Sequence, residues 1–184
     1  CTADGIVRFS SANQVFRKVL QLSSNVRPVA AVPGVTPPRV TSGGPFDWIV
    51  FRENTEDVYT GIEEERPHAV WGRKVNSVAA SRAIGAAAGA AAVAQRRRRV
   101  TLVHKANVCK KGDGLFLREA RDAAAAILAG TDIVLDDQLA DSLFCRAVQA
   151  PWEYDVLVCP NLFGDLLSDM AGGLAGSPRF WGVA

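Results

Sequence analysis

Asp165 and Asp169 stand four residues apart, just beyond an apolar run, Val156 to Cys159. On a helix that spacing puts both carboxylates on one face about one turn apart, at a cost of about 0.2–0.5 kcal/mol in mutual repulsion. A divalent cation between them removes that cost, since carboxylate oxygens are the donors hard cations take. The alternative is that Asp165 favours a helix N-terminus and Asp169 is a solvated polar position. A second cluster, Arg52-Glu53-Asn54-Thr55-Glu56-Asp57-Val58-Tyr59, follows an apolar segment at 47–51. Polar groups straight after an apolar strand are where α/β folds meet substrate, although the same composition also suits a charged turn. His104-Lys105-Ala106-Asn107 follows the apolar segment 100–103 in the same way. A lysine there acts as a general acid if burial lowers its pKa and is otherwise a surface lysine; His104 reads as a hydrogen-bonded structural histidine sooner than as a base. Arg17 and Arg27 flank a helix-to-strand junction, and each taken singly reads as solvated.

The elements that must carry these groups alternate. Residues 10–27 offer a helical face in Val15, Phe16, Val19, Leu20 and Leu22, and the chain then turns extended because Pro28 pushes its predecessor out of the helical region. Residues 33–45, with Gly34, Pro37, Pro38, Gly43 and Gly44, form a loop. A strand at 47–51 is followed by an alanine-rich helix at 74–95 that packs closely on a neighbour. The arginines at 96–99 complement that helix's C-terminal dipole and read as solvated rather than as a nucleic-acid surface. A strand at 100–103, a helix at 112–129 closed by Gly130, a brief strand at 133–135 and a helix at 139–150 with Asp141 near its start come next. Val156 to Cys159 is a short buried strand, Pro160 and Asn161 break it, and helical composition begins at Gly164. Repeated strand–helix alternation predicts an α/β fold, and strand, turn and helix is the geometry in which such folds place ligands.

Net charge is +2 over 184 residues with 22% charged, which supplies no field to draw nucleic acid or a membrane surface. The longest apolar stretch, 83–94, is alanine-rich and interrupted by Gly85 and Gly89, so it is not expected to span a membrane. Cys1, Cys109, Cys145 and Cys159 show neither C-x-x-C nor zinc spacing. Buried, reduced thiols in the cytoplasm or the mitochondrial matrix are the expectation. The first residue is Cys1, so the chain is read as processed or partial, with any targeting segment out of sight.

Three clusters together resemble the isocitrate and isopropylmalate dehydrogenase family, the metal-dependent β-decarboxylating dehydrogenases. The resemblance runs from about Ser11 to Ser177. Phe51-Arg52-Glu53-Asn54-Thr55-Glu56-Asp57-Val58-Tyr59-Thr60-Gly61-Ile62-Glu63 looks like the isocitrate branch, and Val103-His104-Lys105-Ala106-Asn107 and Asn161-Leu162-Phe163-Gly164-Asp165-Leu166-Leu167-Ser168-Asp169 look like two further signatures in the family's order. The resemblance implies the central portion of that family's two-domain α/β fold, lacking N- and C-terminal parts. About 30–150 would be the substrate and dimerisation part, with the flanks belonging to an incomplete cofactor side. It implies that Ser11, Asn13, Arg17, Arg27 and Arg52 hold the carboxylates of a tricarboxylate, that Tyr59 and Lys105 transfer protons, and that Asp141, Asp165 and Asp169 bind Mg²⁺ or Mn²⁺. Arginine forks match carboxylates in bidentate geometry. Lys105 and Asp141 would reach a neighbouring subunit's site, so a homodimer or hetero-oligomer with shared active sites is implied, joined through 61–73 and its flanking helices. Thr2 and Asn107 would lie at the nicotinamide. The implied reaction is that of the tricarboxylic acid cycle enzyme: hydride transfer from isocitrate to NAD or NADP, then loss of CO₂ to give 2-oxoglutarate.

The chain also departs from the family's pattern. A Gly-Asp-Gly-Ile-Gly-Pro-Glu turn and a His-Gly-Ser/Thr-Ala-Pro cofactor loop are not in it, and 178–184 diverges from the family's continuation. Most dinucleotide contacts are therefore expected elsewhere, and little turnover is expected of this chain by itself. Two other readings are a non-catalytic, regulatory or truncated homologue that pairs with a full-length subunit, and a dehydrogenase acting on homoisocitrate or another 2-hydroxy-3-carboxy acid.

Overall fold

The computed structural model describes residues 19, 20 and 22–176. Seven strands and four helices alternate along them: β1 (Ser24–Ala30), β2 (Asp47–Glu53), β3 (Glu63–Arg66), β4 (Ala69–Gly72), α1 (Val78–Ala94), β5 (Arg99–His104), α2 (Gly112–Leu128), β6 (Val134–Leu139), α3 (Ala140–Gln149), β7 (Val156–Cys159) and α4 (Asn161–Ala175). Five strands form one sheet in the order β1-β2-β7-β5-β6. Within it β1 runs antiparallel to β2 and the other pairings are parallel, while β3 and β4 pair antiparallel as a separate two-stranded ribbon. This is the expected α/β architecture.

Strand β7 is buried at all four positions, which is why it reads as an unbroken apolar run rather than an alternating one. Its side chains still divide between two cores by parity. Leu157 and Cys159 join Trp48, Val50, Leu143, Leu167 and Ala171 on the face covered by α3 and α4. Val156 and Val158 join Ile49, Phe51, Ile84, Phe116 and Ala120 on the face covered by α1 and α2. The alanine content of α1 lets it lie close to α2: a Cβ added at Gly85 would sit 2.3 Å from the Ala120 carbonyl oxygen.

Several boundaries differ from expectation. Helix α4 begins at Asn161, not Gly164, because Pro160, with ψ 162°, is its N-cap rather than a breaker of the segment. Helix α1 starts only after Ser77, whose side chain accepts from the Ala80 N–H, and leaves Lys74 outside. The 33–45 loop contains a 3-10 turn, Pro38–Thr41. Arg27 lies inside β1, not at a junction; the helix expected before it falls mostly outside the described residues. The arginine run is not uniformly solvated: Arg97 is half-buried and bonded to Asp47 at 2.9 Å and Asp155 at 3.0 Å, while Arg99 opens β5. Of the cysteines described, Cys159 is buried, Cys109 intermediate and Cys145 exposed, so the burial expected of them holds fully for Cys159 alone, whose thiol burial pushes up. No helix among the described residues is long and apolar enough to cross a membrane.

Candidate active site

Strands β2, β7, β5 and β6 all point their carboxyl ends the same way, so the turns after them share one edge of the sheet. Arg52 sits at the end of β2, opposite Cys159 of β7. Its guanidinium is almost fully buried, at 2% exposure. Nε donates to Asn161 Oδ1 at 2.9 Å, and Nη1 donates to Asp165 Oδ1. Helix α4 comes this close to β2 because residue 164 is glycine: a Cβ there would lie 2.7 Å from Arg52 Cβ and Cγ. From the neighbouring strand, Arg27 donates to Ser168 Oγ and reaches Asp165 Oδ1 at 3.4 Å.

Tyr59 enters from the third side. Glu53 accepts from the Thr55 and Glu56 N–H groups at 2.7 and 2.9 Å and so folds the chain back after β2. A 3-10 turn, Val58–Thr60, follows, and the Tyr59 hydroxyl donates to Asp165 Oδ2 at 2.6 Å. Arg52 lies 5.0 Å from the centre of the Tyr59 ring. Burial first, and then the hydrogen bond to Asp165, raise the phenol above its ordinary pKa, so at neutral pH Tyr59 holds its proton. Two guanidinium groups and a phenol thus converge on the single carboxylate of Asp165. Asp169, four residues on along α4, is exposed, and its side chain makes no hydrogen bond or ion pair among the described residues.

Lys105 and Asp141 form a separate pair. Lys105 Nζ lies 2.5 Å from Asp141 Oδ1, and this hydrogen bond holds the Asp141 carboxyl below the usual carboxylate range. Asn107 is exposed in the turn after β5. His104, which precedes Lys105, has the structural role expected of it. Its Nδ1 accepts from the Ala106 N–H at 3.1 Å, and its Nε2 lies 2.9 Å from Asp137 Oδ2. That acceptor role fixes a neutral imidazole with its proton on Nε2, and burial lowers the pKa accordingly. Thr2, Ser11, Asn13 and Arg17 lie outside the described residues.

Spacing did not single out Asp57, Lys74, Asp113, Asn161 or Ser168, although they hold the site together. Asp57 and Asp113 are fully buried. Asp57 accepts from Val58 N–H at 2.8 Å and from Leu162 N–H at 2.9 Å, tying the Tyr59 turn to the start of α4. Asp113 accepts from the Lys105 N–H at 2.7 Å. Lys74 Nζ bonds Asp113 and lies 3.9 Å from Asp57. An aspartate inside an apolar helical segment, as Asp113 is in Gly112-Asp113-Gly114-Leu115-Phe116, was the available signal.

The sequence profile described as "Isocitrate/isopropylmalate dehydrogenase" matches residues 7–182. A protein of Drosophila melanogaster named probable isocitrate dehydrogenase [NAD] subunit alpha, mitochondrial, is 40% identical over 90% of this chain and 42% of its own length. The Rattus norvegicus isocitrate dehydrogenase [NAD] subunit gamma 1, mitochondrial, is 37% identical over 91% of this chain and 41% of its own. The crystal structure of isocitrate dehydrogenase from Methylococcus capsulatus superposes with a TM-score of 0.80 at 37% identity, covering 96% of this chain and 51% of that one. The chain therefore spans less than half the length of these two curated relatives. With the profile match running over nearly its whole length and a solved relative superposing over 96% of it at a TM-score of 0.80, the chain belongs to the isocitrate/isopropylmalate dehydrogenase family.

Proposed function

We propose that this chain contributes the substrate- and metal-binding part of an enzyme that oxidatively decarboxylates isocitrate to 2-oxoglutarate with NAD, in a mitochondrial assembly of more than one subunit. The observation that carries this reading is the convergence of Arg27, Arg52 and Tyr59 on Asp165. Two cationic forks beside an acidic side chain suit a polycarboxylate ligand, whose carboxylates compete with Asp165 for the guanidinium groups. As the arginines turn to substrate, the Asp165 carboxylate is released towards a cation.

Asp165 and Asp169 supply hard oxygen donors one turn apart, a fit to Mg²⁺ or Mn²⁺, but two carboxylates do not complete a shell of six. The described residues gather no group of three acidic, histidine or cysteine side chains able to hold a metal. Substrate oxygens and Asp141 of a second copy would supply the remainder, and an ion held there would stabilise negative charge on substrate oxygen. Arg27 and Arg52, with Ser11, Asn13 and Arg17, orient the carboxylates. Tyr59 and Lys105 would transfer the protons, one taken from the substrate hydroxyl as hydride leaves and one returned to carbon once CO₂ has gone.

Lys105 and Asp141 bond each other rather than Asp165, an arrangement that suits service to a partner's site. The β3–β4 ribbon, exposed at every residue, offers the surface for assembly. The names of the relatives, subunits alpha and gamma, point the same way. Thr2 and Asn107 remain the candidates for contact with the nicotinamide.

Calorimetry tests the site. Mn²⁺ should raise the chain's affinity for isocitrate about tenfold or more, because each ligand completes the other's coordination. Asp165→Asn should abolish that gain. Retention of the gain in the variant would remove Asp165 from the metal site, and no isocitrate binding by the native chain would overturn the reading.

A further inference from the structure

The Lys74 ammonium stands between the two turns that carry the proposed proton-transfer residues. On one side is Asp57, fully buried, whose two carboxylate oxygens accept from Val58 N–H, next to Tyr59, and from Leu162 N–H, in the first turn of α4. On the other is Asp113, also fully buried, which accepts from the backbone N–H of Lys105. Lys74 Nζ bonds Asp113 Oδ1, lies 3.9 Å from Asp57 Oδ1, and sits 4.8 Å from the centre of the Phe163 ring on α4. Among the described residues no other cation makes an ion pair with either carboxylate.

A buried carboxylate is retained only if a counter-charge and hydrogen bonds replace its water. Here one ammonium serves two of them, and each in turn fixes a backbone amide of a functional segment. The Lys74 segment is itself clamped to the Asp57 turn, since Asp57 N–H donates to the Val75 carbonyl at 2.8 Å and Ser77 N–H to Glu56 at 2.7 Å. We propose that Lys74 is a positioning residue that, through Asp57 and Asp113, holds the Tyr59 turn, the start of α4 and the Lys105 turn in one frame. The proposal rests on the reading of Tyr59 and Lys105 as proton-transfer groups. Proton transfer depends on heavy-atom placement within hydrogen-bond reach. Removing Lys74 leaves two uncompensated buried anions and loosens both turns together. The carboxylate-binding arginines are held by other partners, Asn25, Asn161, Asp165 and Ser168.

The test uses the full chain and a half-reaction that needs no dinucleotide. Removal and return of a C3 proton of 2-oxoglutarate reverses and repeats the protonation that ends the proposed decarboxylation, and Mg²⁺-dependent replacement of that hydrogen by solvent deuterium is read by proton NMR. Tyr59→Phe and Lys105→Met should each slow it by about tenfold or more, within the range general acid–base catalysis contributes. Lys74→Met should lower the saturated rate by about tenfold while the half-saturating 2-oxoglutarate concentration shifts less than about threefold, and Lys74→Arg should restore most of the rate. Lys74→Gln, which keeps an N–H donor to Asp113, substitutes if the methionine variant does not fold. A Lys74 variant with the native rate, or one whose rate and affinity fall together without rescue by arginine, overturns the proposal. If the native chain shows no exchange, the proposed function fails on its own, and amide hydrogen exchange decides the positioning role. Protection lost in Lys74→Met at both Lys105 and the Val58/Leu162 amides supports it, and loss at one alone, or at neither, overturns it.

Discussion

Asp165 answers two guanidinium groups and a phenol with one carboxylate, and its neighbour Gly164 exists as glycine so that this can happen. Arg52, Tyr59 and Asp165 stand out in the sequence by type, and the fold brings them together, whereas Lys105, also conspicuous by type, pairs with Asp141 instead, and Asp169 lies outside the cluster. Their supports were not legible there, because Lys74 meets Asp57 and Asp113 only through the fold, and a lysine outside a helix carries no mark of a buried partner. His104 offers a test at this scale. Its folded pKa is lowered from 6.5 by burial, so the unfolded chain takes up a proton first as pH falls. The stability that neutral His104 contributes is present above the ordinary histidine value and lost as pH drops through the folded one. Urea midpoints should therefore fall between about pH 7.5 and pH 5, and that slope should flatten in His104→Gln, whose remaining histidine, His68, is exposed.

Helices α1 and α2 meet along small residues. Gly85 lies against the Ala120 backbone, and a Cβ at Gly89 would come 3.4 Å from the Ala124 carbonyl oxygen. Gly85→Val should destabilise the chain by about 1–3 kcal/mol, the usual range for overpacking, and more if the helices separate. Urea denaturation measures it, and a Gly85→Val chain of native stability would show that the helices are not in this contact. Alanine composition made the close packing legible. What it did not give was the start of α1, because Val75 pairs instead with Asp57 as an isolated bridge, a contact that only tertiary structure supplies. Arg97 was misread for the same reason. Its neighbours in sequence are arginines, whereas its neighbours in space are Asp47 and Asp155, which join the amino ends of β2 and β7.

For the whole molecule, the β3–β4 ribbon stands outside both cores. Val70 and Trp71 are 63% and 59% exposed, with Arg66 stacked 4.9 Å from the Trp71 ring centre. Two strands alone are marginal in water, so a second copy or a related subunit covering them is the proposed assembly. Val70→Glu together with Trp71→Lys should shift sedimentation at micromolar concentration towards monomer without lowering thermal stability of the monomer itself. Native sedimentation as a monomer would remove the ribbon from the interface.

The order of strands in the sheet also dictates an order of events. β7 comes latest in sequence among the described strands, yet it lies between β2 and β5, with Ile49 and Val100 both paired to Val156. Until those late residues leave the ribosome, the β1–β2 hairpin and the β5–β6 unit are two separate sheets, each presenting a long unpaired inner edge. Such edges invite pairing with other chains, and non-local closure of this kind is slow. A nascent chain halted before Val156 thus carries both edges open, and the arrival of four apolar residues in the gap is the step that joins the two halves of this sheet.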